Sequence, residues 1–479
     1  MFVKNDCMKI LRIGWILNSV RVPREQRRGS ELEECWTLLS TCVSCVMSQH
    51  RPIIVIGGGA AGMIAAWKAA SLGARVLLLE RNKKLGIKLL ISGGGKCNIT
   101  HAGPMEEVRL AFIMKEARFL KPAFHKFSND DIVRLIEDRG VKTYTRANGR
   151  VFPVSGNADD VVDTLASYLR SMNVEVRLDA RVEAILSTDC SVTGVKVQGD
   201  RHLAAYSQAG DGHLPTSRII LATGGASYPK TGTIGDGFVW AKQLGHTIVP
   251  VRPALAPIGV KPRLPADWRG VALRDGCLMV LSNEKKLFEW NDDILFSHEG
   301  ISGPAALEVS RVAAEVMGMQ SVELRFDFYP AKDFSQLDDE LSGFVRSHRD
   351  KMIATILEAW LPNRIVPTLL STVDVDPTKR GHVLTRDERR AIVGLLKSWK
   401  IGDVAHIDIE RGEVTAGGVA LDEIDPKTMR SRKVQGLYIC GEVLDVAGPV
   451  GGYNLQAAFS TGFVAGETAA RDWLEKTQD

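Results

Sequence analysis

No uninterrupted apolar run in the chain approaches the roughly eighteen residues that a membrane-spanning helix needs, so no transmembrane segment is expected. A strong charge of either sign is also missing. The chain has 61 Lys and Arg against 57 Asp and Glu, a formal +4. So mild a balance permits contact with RNA or anionic ligands without arguing for it, and gives no reason to expect DNA. Cysteines are few and unevenly spaced: eight in 479 residues. That is no disulfide framework; mostly reduced thiols in a cytoplasmic setting fit better. Internal repeats and low-complexity tracts are absent too.

What remains is an ordinary globular composition, 45% apolar and 25% charged. The length predicts two or three domains. The 45 glycines cluster at a few points, which suggests places where backbone approaches a ligand closely.

Residues 1–46 differ from the rest. They hold Cys7, Cys35, Cys42 and Cys45, a basic patch from Arg21 to Arg28, and no clean periodicity. The apolar stretch from Ile10 to Val20 is broken by Arg12 and Asn18, and no convincing cleavage site follows. An over-long start, with the working protein beginning near Met47, is one reading; a leader or partner-binding arm is the other. Cys42 and Cys45 have redox or metal-binding spacing but no second matching pair.

From Pro52 to Ile56 the pattern is a buried strand, followed by a helix over Met63–Leu72 and a second strand, Arg75–Leu79, ending at Glu80. Helices are predicted over Glu106–Lys121, Asp130–Asp138 and Asp159–Met172, with a hairpin over Val182–Gln198. Short β-like runs occupy about 250–328, punctuated by prolines, and 333–400 reads as mostly helical. A strand at Gly436–Cys440 and a helix from Leu455 to Leu474 close the chain.

The strongest local signal is VIGGGAAG at 55–62. Gly57 makes the tight turn off the strand, Gly59 lets backbone approach a pyrophosphate, and Gly62 lets helix pack closely on strand. The phosphates then meet free N–H groups at a helix N-terminus. Glu80 is the acid expected to accept from ribose hydroxyls. Two later segments favour FAD over NAD. IILATGG (219–225) runs a strand into Thr223 and Gly224, and GLYICGE (436–442) ends at Gly441 and Glu442, an acid placed for a ribityl hydroxyl. Between them, LGIKLLISGGGKCNIT (85–100) offers Lys88, Ser92, Gly93 and Gly94 as cofactor contacts in an anion-binding or flavin-hugging loop. Cys97 is then a candidate for redox or acid chemistry, and equally a small buried cysteine. Gly448 to Gly466 places a glycine turn before a helix whose amides can face the flavin pyrimidine. Asn454 and Tyr453 there either orient ligand or pack, Asp445 reads as structural, and Gly417-Gly418 suggests one more close backbone approach.

SGGGKCN (92–98), GRVFPVSGNADDVV (149–162), FSHEGISGPA (296–305), VTAGGV (414–419) and GEVLDVAGPVGGYNLQAAFSTG (441–462) together resemble the BaiN-like, aminoacetone-oxidase-type family of NAD(P)/FAD-dependent oxidoreductases. The resemblance runs from about residue 50 to the end. It implies an α/β fold: a discontinuous, Rossmann-like FAD domain of the two-dinucleotide-binding type, interrupted by a β-barrel-like insert and a helical segment. The expected division is 1–46, 47–248, 249–330, 331–404 and 405–479, the second and last forming the FAD domain. FAD contacts carry over to Ala61, Glu80, Val182, Glu442 and Leu455. Lys96 stands where many relatives have arginine, keeping the charge but losing the planar fork.

In the insert, His298 beside Glu299 is the candidate proton donor to a substrate, with a turn-bracing role as its rival. The expected activity is transfer of electrons from NAD(P)H through FAD to an unsaturated C=C acceptor, a small molecule. The alternatives are the same chemistry on uridine in ribosomal RNA, a flavin oxidase using oxygen, and a non-catalytic FAD-binding partner protein.

Overall fold

The computed structural model describes residues 51–198 and 212–475. The leader, the Met47 start and the Cys42–Cys45 pair lie outside the described residues.

Five short strands form a parallel sheet. Its order is Leu437–Ile439, Ile219–Leu221, Ile53–Ile56, Val76–Leu79 and Glu175–Arg177. Ile54 lies opposite Ile219 on one side and Leu77 on the other. A strand covered on both faces reads as an unbroken apolar run, and every residue of Ile53–Ile56 and Val76–Leu79 is buried. The helix Ala60–Ser71 has few large side chains because another helix lies directly on it. A Cβ added to Gly462 would stand 2.3 Å from the Ala61 carbonyl oxygen, and one on Gly466 2.2 Å from that of Ala65. The C-terminal helix Tyr453–Glu475 thus crosses it backbone to backbone.

A second hydrophobic core is built on an eight-stranded antiparallel sheet drawn from residues 258–302, 323–327 and 399–406. The expected barrel-like insert is instead an open sheet: no ladder joins its end strands, Ala272–Leu273 and Lys285–Asn291. The latter is largely exposed and begins Lys285-Lys286, charges that discourage further strand pairing at an edge. Helices between 334 and 397 pack into this same core, so the β-rich and helical segments form one unit. Two of these helices open with reciprocal capping boxes, Asp333 with Gln336 and Thr385 with Glu388. The segment expected to be helical to residue 404 turns to strand at Trp399–His406.

Two other expectations change in detail. The helix expected over Glu106–Lys121 is two, Met105–Leu110 and Met114–Lys126, parted where buried Phe112 packs against Phe124 and Tyr453. The last helix starts at Tyr453, directly after Gly451 and Gly452, both with positive φ.

One ion pair ties the two cores together. Arg311, on the insert helix Pro304–Val316, reaches Glu116 at 2.6 Å and also donates to the Ala447 carbonyl. Burial raises the Glu116 pKa even though Arg311 opposes it. No helix among the described residues is long and apolar enough to cross a membrane.

Candidate active site

The first strand delivers the chain into a cradle. Gly57 has φ +103°, and a Cβ there would meet the Ala222 carbonyl oxygen at 2.4 Å, so only glycine fits the turn. A Cβ on Gly62 would lie 1.8 Å from the Gly57 carbonyl oxygen. Gly59 differs: its missing Cβ faces open space. The helix that follows has no side-chain cap and no acid in its first turn, so its N-terminal amides are free for an anion.

These glycines border a cavity of about 610 Å³. At one end lies Glu80, buried, accepting from the Gly58 amide at 2.7 Å and the Asn82 amide at 2.8 Å. Burial raises its pKa against those hydrogen bonds. Ala61, Val182, Thr223, Gly224, Gly441 and Leu455 continue the wall. Lys88 and Glu442 also line it, as an ion pair: Lys88 Nζ lies 2.7 Å from Glu442 Oε2 and 2.8 Å from Ser227 Oγ. The Thr415 amide completes the hold on Glu442 at 2.8 Å. The carboxylate expected to meet a ribityl hydroxyl therefore comes with its own counter-ion.

The segment 85–100 is a short helix that unwinds at Ser92, with Gly93 at φ +57° and Gly94 at φ +68° against the cavity. Asn454 lines the cavity, but its side chain is engaged with Gly448, accepting from the amide and donating to the carbonyl, each at 2.8 Å. Apart from Gly62, which packs helix on strand, all the candidate cofactor residues border this one space. The group they fit is an elongated dinucleotide: an uncapped helix N-terminus for pyrophosphate, Glu80 beyond it, and a buried Thr223 Oγ1 with no protein partner. FAD is a dinucleotide that these residues would hold.

The two candidate catalytic residues are placed differently. Cys97 is fully buried, outside the cavity wall, and burial pushes its thiol up to about 12, which suppresses thiolate chemistry. His298 also lies outside the wall, on a half-exposed turn, its Nε2 3.3 Å from Glu299 Oε1, while Glu299 pairs with Arg411. That geometry suits bracing a turn better than proton donation. Gly417 and Gly418 approach protein backbone, at Pro250 and Val443, rather than the cavity. Lys96 is exposed, and Tyr453 stacks on His101 at 4.6 Å.

The far wall was missed from sequence. Leu295, Ser302, Gly303, Pro304 and Leu307 come from strands and the helix Pro304–Val316 that also build the second core, and Arg146, Arg150, Arg181, Tyr228 and Glu413 add charge and polarity. Signals did exist: Arg150 sits inside the GRVFPVSGN motif, and Glu413 directly precedes VTAGGV.

The family model described as HI0933-like protein Rossmann domain matches residues 51–468. A Haemophilus influenzae protein named ribosomal RNA dihydrouridine synthase is 30% identical over 425 residues, covering 89% of this chain and 100% of that protein. A Clostridium scindens protein named 3-dehydro-bile acid delta(4,6)-reductase is 30% identical over 423 residues, covering 87% and 98%. Among solved structures, the open conformation of a flavocytochrome c3 fumarate reductase aligns over 88% of this chain and 78% of its own, at 18% identity and a TM-score of 0.43.

Proposed function

The chain belongs to the HI0933-like Rossmann-domain family and is a flavin-dependent oxidoreductase; from that premise we propose that reduced pyridine nucleotide reduces FAD in the cavity and that hydride passes on to a conjugated C=C bond. Bound FAD supplies the two-electron chemistry. The protein supplies the cradle, the exclusion of water and the substrate wall. The observation that carries the reading is the double origin of the cavity: dinucleotide-type glycines line part of it, and residues on the elements that build the second core line another. A substrate would lie between Leu295, Ser302–Leu307 and the flavin end. The pyridine nucleotide would bind transiently, because the sequence holds one full dinucleotide fingerprint.

RNA is the second reading for the acceptor. Arg146 and Arg181 border the cavity, are exposed, and form no ion pair among the described residues. Such unneutralised guanidinium groups suit phosphodiester contacts beside a uracil ring. A relative named for dihydrouridine synthesis supports this version, and the bile acid reductase supports a small unsaturated ketone.

The test is anaerobic. The purified protein is titrated with NADH and NADPH while flavin absorbance is followed, then mixed with unmodified ribosomal RNA or a steroid dienone. Bleaching by one nucleotide and recolouring by one of these acceptors is the expected result. Recolouring by oxygen alone would favour an oxidase, and a flavin-free protein after reconstitution with FAD would end the reading.

A further inference from the structure

Among the described residues, three of the four carboxyl groups that line the cavity are already engaged. Glu80 accepts backbone amides, Asp236 is held by Arg81 at 3.0 Å, and Glu442 is held by Lys88. Glu413 is the fourth, and its side chain has no hydrogen bond or ion pair. Arg150 also lines the cavity, and among the described residues its guanidinium, like that of Arg181, has no hydrogen-bond or ion-pair partner; unlike Arg181, it is only partly exposed.

Both residues are held by backbone. Arg150 begins the strand Arg150–Pro153, paired on both sides, with His101 opposite it. That His101 stacks on Tyr453 and lies 3.2 Å from the Gly451 carbonyl oxygen, which ties Arg150 to the glycine turn at the last helix. Glu413 comes from the far end of the chain; its amide donates to the Leu255 carbonyl at 3.0 Å. Thr415, two residues on, grips Glu442. The two charges approach the cavity from different segments. They are near enough that Arg150 lowers the Glu413 pKa, yet no ion pair joins them. Opposite charges left apart beside a cavity are an arrangement that suits a ligand completing the contact.

We propose that Arg150 and Glu413 take the two ends of the substrate's conjugated carbonyl, Arg150 facing the oxygen and Glu413 facing the carbon that must gain a proton. This rests on the C=C reductase reading and names its polar machinery. Hydride, with its electron pair, adds to the β-carbon; the C=C pair moves toward the α-carbon, and negative charge grows on the carbonyl oxygen beside Arg150. The Glu413 O–H bond then breaks as a C–H bond forms at the α-carbon, the C=O bond is restored, and water reprotonates the carboxylate. Reduced pyridine nucleotide is the source of both electrons.

Glu413 is suited to keep a proton. The residue is exposed, yet the protein packed around the carboxyl raises its pKa, with Arg150 and Lys88 pulling the other way. Tyr228 and Glu308 also face it. Glu308 is the competing acid, pushed up to about 7 by burial, but it is pinned by the Val450 amide at 2.6 Å and stands behind the cavity wall.

The test uses flavin-loaded protein and 2,4-dinitrophenolate, an anion that mimics the enolate and needs no turnover. R150A should weaken its binding about tenfold or more, as expected for loss of a charge-assisted contact, and R150K should recover part of it. In the parent protein affinity should fall as pH rises and Glu413 ionises. That fall should vanish in E413Q and persist in E308Q. With an acceptor found by the anaerobic screen, R150A and E413Q should slow flavin reoxidation about 10²-fold or more while reduction by pyridine nucleotide is unchanged. Flavin content and melting temperature check that each variant is folded. Phenolate affinity unchanged in R150A, or a pH response lost in E308Q instead of E413Q, would overturn the proposal. If no C=C acceptor is reduced but the phenolate results hold, the reductase reading fails and the oxyanion site stands.

Discussion

The two sides of the cavity are built by different rules. On the cofactor side, contacts come from contiguous motifs, and every lining carboxylate is neutralised by an amide or a cation: Glu80 by Gly58 and Asn82, Glu442 by Lys88 and Thr415. On the side proposed for substrate, single residues arrive from distant segments, and among the described residues Arg150 and Glu413 form no side-chain hydrogen bond or ion pair. A permanent ligand of fixed shape rewards a rigid, fully satisfied cradle. A passing substrate is better served by polar groups whose partners it brings.

The largest effect should come from cutting the link between the sides. Arg311→Ala strands Glu116 in a buried setting, and loss of one partner of such a pair costs about 3–5 kcal/mol. A carboxyl whose folded pKa lies above its unfolded value contributes stability below the unfolded value and loses it as pH rises through the folded one. Glu116 is already raised, and losing Arg311 raises it further. The deficit in denaturant melts should therefore be widest at neutral and alkaline pH and narrow as pH falls toward the ordinary carboxylate range. A pH-independent deficit would mean that Arg311 acts by packing alone.

On the cofactor side, Glu80→Ala removes the group that holds the Gly58 and Asn82 amides and borders the cavity. FAD should bind about ten- to a hundredfold more weakly, the worth of a charge-assisted hydrogen bond of about 1.5–3 kcal/mol, measured by titrating apoprotein with FAD. Gly62→Ala drives a methyl into the Gly57 carbonyl and should cost about 1–3 kcal/mol by overpacking, with flavin lost in proportion. The melting temperature and bound flavin of the purified variant decide this.

The smallest effect belongs to His298→Ala. An exposed turn outside the cavity predicts stability changes within about 0.5 kcal/mol and no selective loss of substrate reduction. A large, selective slowing of flavin reoxidation would put His298 back in the chemistry and shift the boundary between the two sides.

The same contrast decided what the sequence could reveal. Gly57, Gly59 and Glu80 follow from a strand–turn–helix grammar whose spacing is fixed by covalent geometry, so they were readable. Lys88 and Glu442 were each expected at the cofactor and both line the cavity, but their pairing was not readable, since the two are 354 positions apart. Arg150 and Glu413 sit in or beside the motifs GRVFPVSGN and VTAGGV, but nothing local says that they share a space; only the fold brings a hairpin and a returning strand together. His298 lies among glycines whose spacing resembles that of the cradle, so the sequence left its two readings, proton donor and turn brace, side by side. In structure those glycines serve a turn, where Gly300 is wedged so tightly that a Cβ would meet the Ile258 carbonyl oxygen at 2.0 Å.

The most direct test of this division compares the two half-reactions in variants from each side by anaerobic stopped flow. With FAD saturating, Glu80→Ala should keep both rates near those of the parent protein, its defect confined to FAD affinity. Arg150→Ala should leave reduction by pyridine nucleotide intact and slow only reoxidation by the C=C acceptor, by about 10²-fold. If Arg150→Ala slows both half-reactions equally, or sheds FAD as readily as Glu80→Ala, the separation of cofactor side from substrate side is contradicted.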